Sequence, residues 1–199
     1  MSWRRLPVLL SDSKVIHAKI IDRSGNFKLI NEKLDADLFS LKNKIMAGYF
    51  GIGIYHNKCK RNIGTLWRSA QLFEASYVFT ILMQYKWMPS DTLKTWRNVP
   101  FFHHQSVDDF MNSLPMDCEL VGVELTEDAI DIIDFKHPKR AVYLLGAEDT
   151  GLPEEILARC NKVIKLPGKR SMNVSTAGTL VMYDRQVKSV KASEVKAVL

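Results

Sequence analysis

Short apolar runs alternate with amphipathic stretches along most of this 199-residue chain, and from Tyr49 the alternation is regular. Phe50-Gly51-Ile52-Gly53-Ile54-Tyr55 reads as a strand, and Asn62–Glu74 as a helix with Leu66, Ala70 and Phe73 on one stripe. Tyr77–Leu82 is aromatic and β-branched, as a buried strand is. A polar connection over Trp87–Val99, the run Phe101-Phe102-His103-His104 and a helix near Val107–Ser113 come next. Glu119–Leu125, Ala141–Leu145 and Lys162–Leu166 read as further strands. A helix over Pro153–Arg159 opens with proline in its first turn. The final helix begins near Ser171 or Asn173 and reaches about Lys188. Strands alternating with helices predict an α/β fold, a mostly parallel sheet with helices on both faces.

Residues 1–46 follow another pattern. An apolar patch at Leu6–Leu10 precedes Val15–Ile21, a Ser24-Gly25-Asn26 turn signal and Phe27–Ile30, which together predict a hairpin. Leu38, Leu41 and Ile45 then lie at helical spacing within Asp35–Met46. The expected division is an N-terminal extension or arm over 1–46, a main domain over 47–190 and a tail over 191–199.

Composition adds bounds. At 46% hydrophobic, the chain can bury one full core with an appendage. No apolar run approaches the roughly 20 residues that span a bilayer. The N-terminal patch ends at Ser11-Asp12-Ser13-Lys14, a poor fit to a signal peptide. Cys59, Cys118 and Cys160 are odd in number and far apart, so neither a disulfide framework nor a zinc site is expected. Buried thiols in a reducing cytoplasm are the simpler reading. A net charge of +6 suits a polyanionic partner and ordinary solubility equally.

Several chemistries are excluded. Gly51-x-Gly53 meets His56 where a dinucleotide site needs a third glycine. Neither a phosphate-binding G-x-x-x-x-G-K-[ST] nor a G-x-S-x-G elbow is present. His103 and His104 are adjacent on a strand and face opposite ways, so they do not chelate one metal.

Three polar loops remain, each at the carboxyl end of a strand, where α/β sheets bind ligands. In the first, Asn62 follows Lys58, Lys60 and Arg61 and stands where it would cap the helix. Gly64 permits close approach, and Arg68 projects away from the apolar stripe. A helix start beside Asn and Arg suits an anion; a plain cap with a surface arginine explains this loop equally well. The second, Gly146-Ala147-Glu148-Asp149-Thr150-Gly151, is a tight turn with Glu148 inside it. Alone it reads as a simple strand-to-helix loop with an acidic bias. In the third, Ser171, Asn173 and Ser175 alternate at a helix start, which alone is only a cap.

In this order the loops resemble the signature of the SpoU/TrmH-type branch of the SPOUT RNA methyltransferase superfamily. Asn62, Gly64 and Arg68 match its first motif; Gly146, Glu148 and Gly151, with Leu152 following, match its second. Ser171-Met172-Asn173-Val174-Ser175-Thr176-Ala177 matches its third, and Leu166-Pro167 matches the step before it. The likeness covers about residues 48–188 and leaves out 1–46. The link Gly168-Lys169-Arg170 is shorter than in many relatives.

The resemblance implies a C-terminal trefoil knot and S-adenosylmethionine as methyl donor, with cofactor contacts from Leu125, Gly146, Leu166 and Ser171 and no metal. It implies methyl transfer to a ribose 2′-hydroxyl, in tRNA ahead of rRNA, by a homodimer. Arg68 is then the catalytic arginine, with Asn62, Glu148, Ser171 and Asn173 around it. Family mechanisms propose this arginine as the base; because guanidinium stays protonated, the other reading is that Arg68 binds phosphate and stabilises an alkoxide, with that phosphate relaying the proton. RNA contacts are expected from Lys58, Arg61, Arg68, Lys94 and Arg97; Lys94-Thr95-Trp96-Arg97 interleaves cations with an aromatic ring. Lys169 and Arg170 flank the third motif. The alternative is a non-catalytic RNA-binding protein on the same scaffold, against which the retention of Arg68, Glu148, Ser171 and Asn173 argues.

Overall fold

The structure, a computed structural model, describes residues 19–21, 27–29, 48–56, 59–83, 95–168 and 170–197. The chain divides into two compact units, Met1–Met46 and Ala47–Leu199. In the first, β1 (Lys19–Ile21) pairs antiparallel with β2 (Phe27–Leu29), Ile20 opposite Lys28. This is the hairpin that the glycine-asparagine turn predicts. The helix expected over Asp35–Met46 lies outside the described residues.

Among the described residues the second unit carries seven more strands: β3 (Tyr49–Tyr55), β4 (Tyr77–Ile81), β5 (Phe101–His104), β6 (Glu119–Val123), β7 (Ile130–Asp131), β8 (Arg140–Leu145) and β9 (Lys162–Lys165). They form one sheet in the order β5-β4-β3-β8-β6-β9-β7, and every pairing is parallel. The helices are α1 (Lys60–Leu72), α2 (Val107–Asn112), α3 (Glu154–Leu157) and α4 (Val174–Ala197), with a 3₁₀ turn at Thr95–Arg97.

Period-two alternation along β8 explains the layering. Ala141, Tyr143 and Leu145 face a core shared with Ile63, Leu66 and Ala70 of α1 and Val174, Ala177 and Val181 of α4. Val142 and Leu144 face the opposite core, with Phe110 of α2 and Ile156 of α3. A central parallel strand is buried on both faces, so its sequence is continuously apolar rather than alternating.

The elements differ from the sequence reading mainly at their ends. β4 stops at Ile81 because Leu82 adopts a left-handed φ of 61°. Pro153 caps α3 instead of opening it. β7 is only two residues long, too short to show a period, and is placed by pairing Ile130 with Ile164 of β9. α4 continues past Lys188 to Ala197, through most of the segment read as a tail.

Candidate active site

All three motif loops leave the carboxyl ends of parallel strands β3, β8 and β9. Between them opens a cavity of about 530 Å³, part of it shared with solvent. Val123, Glu124 and Leu125 line it from the end of β6, and Leu145, Gly146, Ala147 and Glu148 from the end of β8. Leu166, Arg170, Ser171 and Met172 follow β9, and Val174 and Ala177 of α4 close the wall. The four residues expected to touch a cofactor, Leu125, Gly146, Leu166 and Ser171, therefore meet at one cavity. Leu166 and Gly146 are buried, whereas Leu125 remains 43% exposed at the rim.

Asn62 does not cap its helix. α1 begins at Lys60 after Cys59, which makes no side-chain cap, so Asn62 sits inside the first turn. Its amide is instead committed to the other two loops. Nδ2 donates to Glu148 Oε2 at 3.1 Å, and Oδ1 accepts from Asn173 Nδ2 at 3.0 Å. Asn173 is the residue just before α4, and its Oδ1 accepts from the backbone N–H of Ser175 (3.0 Å) and Thr176 (3.3 Å) and from Ser175 Oγ (2.6 Å).

These bonds have a direction. Backbone N–H groups can only donate, so the capping atom of Asn173 is its oxygen and its nitrogen faces Asn62. Asn62 must then turn its oxygen to Asn173 and its nitrogen to Glu148. The relay ends on an acceptor, which a carboxylate supplies. Asn62 is only 6% exposed, so each of its polar groups needs such a partner. One hydrogen-bonded line thus joins the three motifs, from residues 86 and 111 positions apart in sequence.

Arg68 lies on the exposed side of α1, while Leu66 and Ala70 are fully buried. Its guanidinium makes no hydrogen bond or ion pair among the described residues, and neither Arg68 nor Asn62 lines the cavity. Arg61 and Arg97 are exposed; Lys58 and Lys94 lie outside the described residues. His103 approaches Thr80 Oγ1 (3.3 Å), whereas His104 turns toward Asp109 (3.5 Å) and stacks edge-on against Phe110.

Glu124 escaped the sequence reading. It follows β6 directly and lines the cavity, with Oε2 accepting from the Leu152 N–H at 2.8 Å and Oε1 from the Leu125 N–H at 3.0 Å. The available signal was an acid closing the apolar run Leu120-Val121-Gly122-Val123.

Residues 50–183 match the SpoU rRNA Methylase family. The chain belongs to that family. Among its SpoU relatives is a Lactococcus lactis protein, named as a candidate tRNA (cytidine(34)-2′-O)-methyltransferase, 32% identical over 46% of this chain and 59% of its own length. A Thermus thermophilus tRNA (guanosine(18)-2′-O)-methyltransferase is 37% identical over 34% of this chain and 37% of its own. The matched regions thus take in less than two thirds of those relatives. Among solved structures, the A. aeolicus TrmH/SpoU tRNA modifying enzyme superposes with a TM-score of 0.65 at 18% identity, covering 81% of this chain and 86% of that one. An AdoMet-bound rRNA methyltransferase from Sinorhizobium meliloti gives 0.63 at 19%, covering 71% and 57%. These likenesses establish that the fold is shared with those enzymes. Among the described residues, no helix is long and apolar enough to cross a membrane.

Proposed function

We propose that this chain is an S-adenosylmethionine-dependent RNA methyltransferase acting on a ribose 2′-hydroxyl, with tRNA ahead of rRNA as acceptor. The observation that carries this reading is the amide line Glu148–Asn62–Asn173, which links the family's three motifs beside one strand-end cavity.

The cavity suits such a cofactor. Val123, Leu125, Leu145 and Leu166 offer apolar walls for a flat ring at strand ends. Glu148 and Arg170 give the wall a group of each charge, as a zwitterion with a further cationic centre requires. Leu125, Gly146, Leu166 and Ser171 would hold the cofactor, which supplies the methyl group when bound. Arg68 would bind an RNA phosphate and stabilise charge developing on the ribose oxygen, and that phosphate would take up the 2′-hydroxyl proton, which a protonated guanidinium cannot accept. Asn62, Glu148 and Asn173 would keep the loops in register, and Ser171 would stand where acceptor and cofactor meet.

Arg68 does not line the cavity of its own subunit. Leu72, one helical turn from Arg68 on α1, and Leu180 and Tyr183 on α4 are exposed apolar side chains, which supports a homodimer with RNA lying across the junction. Arg61 and Arg97, with Lys58 and Lys94, would add phosphate contacts. The unit Met1–Met46 would serve as an arm for RNA or the partner subunit. A cytoplasmic setting follows from an RNA substrate. The trefoil threading stays part of the proposal, supported by insertion of the last strand, β9, between β6 and β7.

Calorimetry with S-adenosylmethionine and labelled-methyl transfer to tRNA and rRNA transcripts test this directly. Expected are cofactor binding and RNA labelling, with the label mapped to a ribose by mass spectrometry. The variant R68A should lose on the order of 10²–10³ in turnover while binding cofactor normally. RNA binding without cofactor binding or labelling would replace this reading with the non-catalytic one.

A further inference from the structure

Among the described residues, three charged side chains line the cavity: Glu124, Glu148 and Arg170. Glu124 is the one whose charged atoms are both committed inside the protein. Oε1 accepts from Leu125 N–H and Oε2 from Leu152 N–H, which ties the end of β6 to the far end of the second motif. Both bonds are charge-assisted, and together they hold the carboxylate in place.

The same carboxylate fills the space where side chains at the motif's glycines would go. A Cβ on Gly146 would lie 2.6 Å from Glu124 Oε2, and one on Gly151 only 2.5 Å. At Gly151 the three nearest atoms all belong to Glu124. A free glutamate tip could swing away; this one would lose two hydrogen bonds by doing so. Gly151 also has a left-handed φ of 66°, and its N–H and carbonyl exchange hydrogen bonds with Ala147 at 2.9 and 3.2 Å. The turn is closed on itself and clasped from outside by Glu124.

We propose that Glu124 is a positioning residue for the cofactor cavity. Its carboxylate sets the path of the Gly146–Leu152 turn and joins Leu125 and Gly146 into one wall. Part of the demand for glycine at 151 then comes from Glu124, a residue outside the three motifs. The identity of the ligand rests on the function proposed above; the clasp does not.

E124Q is the sharpest probe, because glutamine has the same shape but turns an N–H₂ toward one of the two backbone donors. In the cofactor-free protein, hydrogen exchange at the Leu152 and Leu125 amides should quicken about tenfold or more. The Kd for S-adenosylmethionine should rise about tenfold, while the Kd for RNA stays within about twofold. G151A should weaken cofactor binding far more in the wild-type background than in E124A, where the clashing carboxylate is gone. Unchanged exchange at Leu152, or faster exchange with an unchanged cofactor Kd, overturns the proposal; so does additivity of G151A and E124A. If E124Q does not fold, E124D, one methylene shorter, serves in the same comparison. Should wild-type protein bind no S-adenosylmethionine, the functional reading fails while the exchange measurement still decides the clasp.

Discussion

The Oδ1 of Asn173 caps α4 while its Nδ2 reaches Asn62, and the two tasks can be separated. N173D keeps an oxygen at the cap and adds a charge that the helix N-terminus favours, but has no donor for Asn62 Oδ1. N173A loses both. We expect N173A to lower stability by about 1 kcal/mol or more, a drop in Tm of about 2–4 °C by calorimetry. N173D should melt close to wild type yet lose methyl transfer, because Asn62 and Glu148 lose their alignment. The cap at Asn173 was legible, since a polar residue before an apolar helix has a local role. The bridge to Asn62 was not, and Asn62, whose position suggests a cap, sits inside the first turn of its helix. A cap is a contact within a few residues, whereas its real partners lie 86 and 111 positions away.

At the scale of elements, α4 is held at two levels. Its first turn carries the site, and further along a polar network ties it to the segment before β8. Arg185, 7% exposed, donates from Nη1 to Pro138 O (2.7 Å) and Tyr143 Oη (3.1 Å), and from Nη2 to Lys139 O (3.0 Å). Since Arg185 can only donate, the Tyr143 proton points to His137 Nδ1 at 2.6 Å. His137 Nε2–H then donates to Asp184 at 2.8 Å, and Lys188 pairs with the same carboxylate oxygen at 2.7 Å and reaches the Ile132 carbonyl. Burial pushes the Tyr143 phenol up to about 12 and holds His137 below its ordinary 6.5, the latter against the pull of Asp184. An unfolded chain therefore takes up the His137 proton before the folded one does. Stability should be complete above about pH 6.5 and fall as pH drops through the window beneath it. His104, also lowered by burial, adds in the same direction. Thermal melts between pH 7.5 and 5.5 should show Tm falling on acidification, with a shallower slope in H137Q. Neither the histidine nor the arginine had a sequence signal for this role, because their partners come from a different element.

For the whole molecule, the parallel sheet decides where chemistry can sit. Every strand pairing in it is parallel, so the carboxyl ends of β3, β6, β8 and β9 reach one edge, and the loops after them converge. Leu72, Leu180 and Tyr183 are exposed and do not line the cavity at that edge. If two copies meet through these side chains, L180D combined with Y183D should give a monomer by light scattering and lose RNA methylation. Cofactor binding within each subunit should survive. An unchanged mass would place any assembly elsewhere.

The sequence by itself determined the apolar faces of the main strands and helices, their alternation, and the three motif loops at strand ends. These follow from local periodicity and short-range turn chemistry, which act within a few residues. Only the tertiary structure decided that Asn62 bridges instead of capping, that Glu124 clasps the second motif, and that Arg68 stands apart from the cavity. It also decided that His137 and Arg185 anchor α4. Those outcomes depend on hydrogen bonds between side chains and backbone brought together by strand order, and no spacing along one chain specifies which distant donor will face which acceptor.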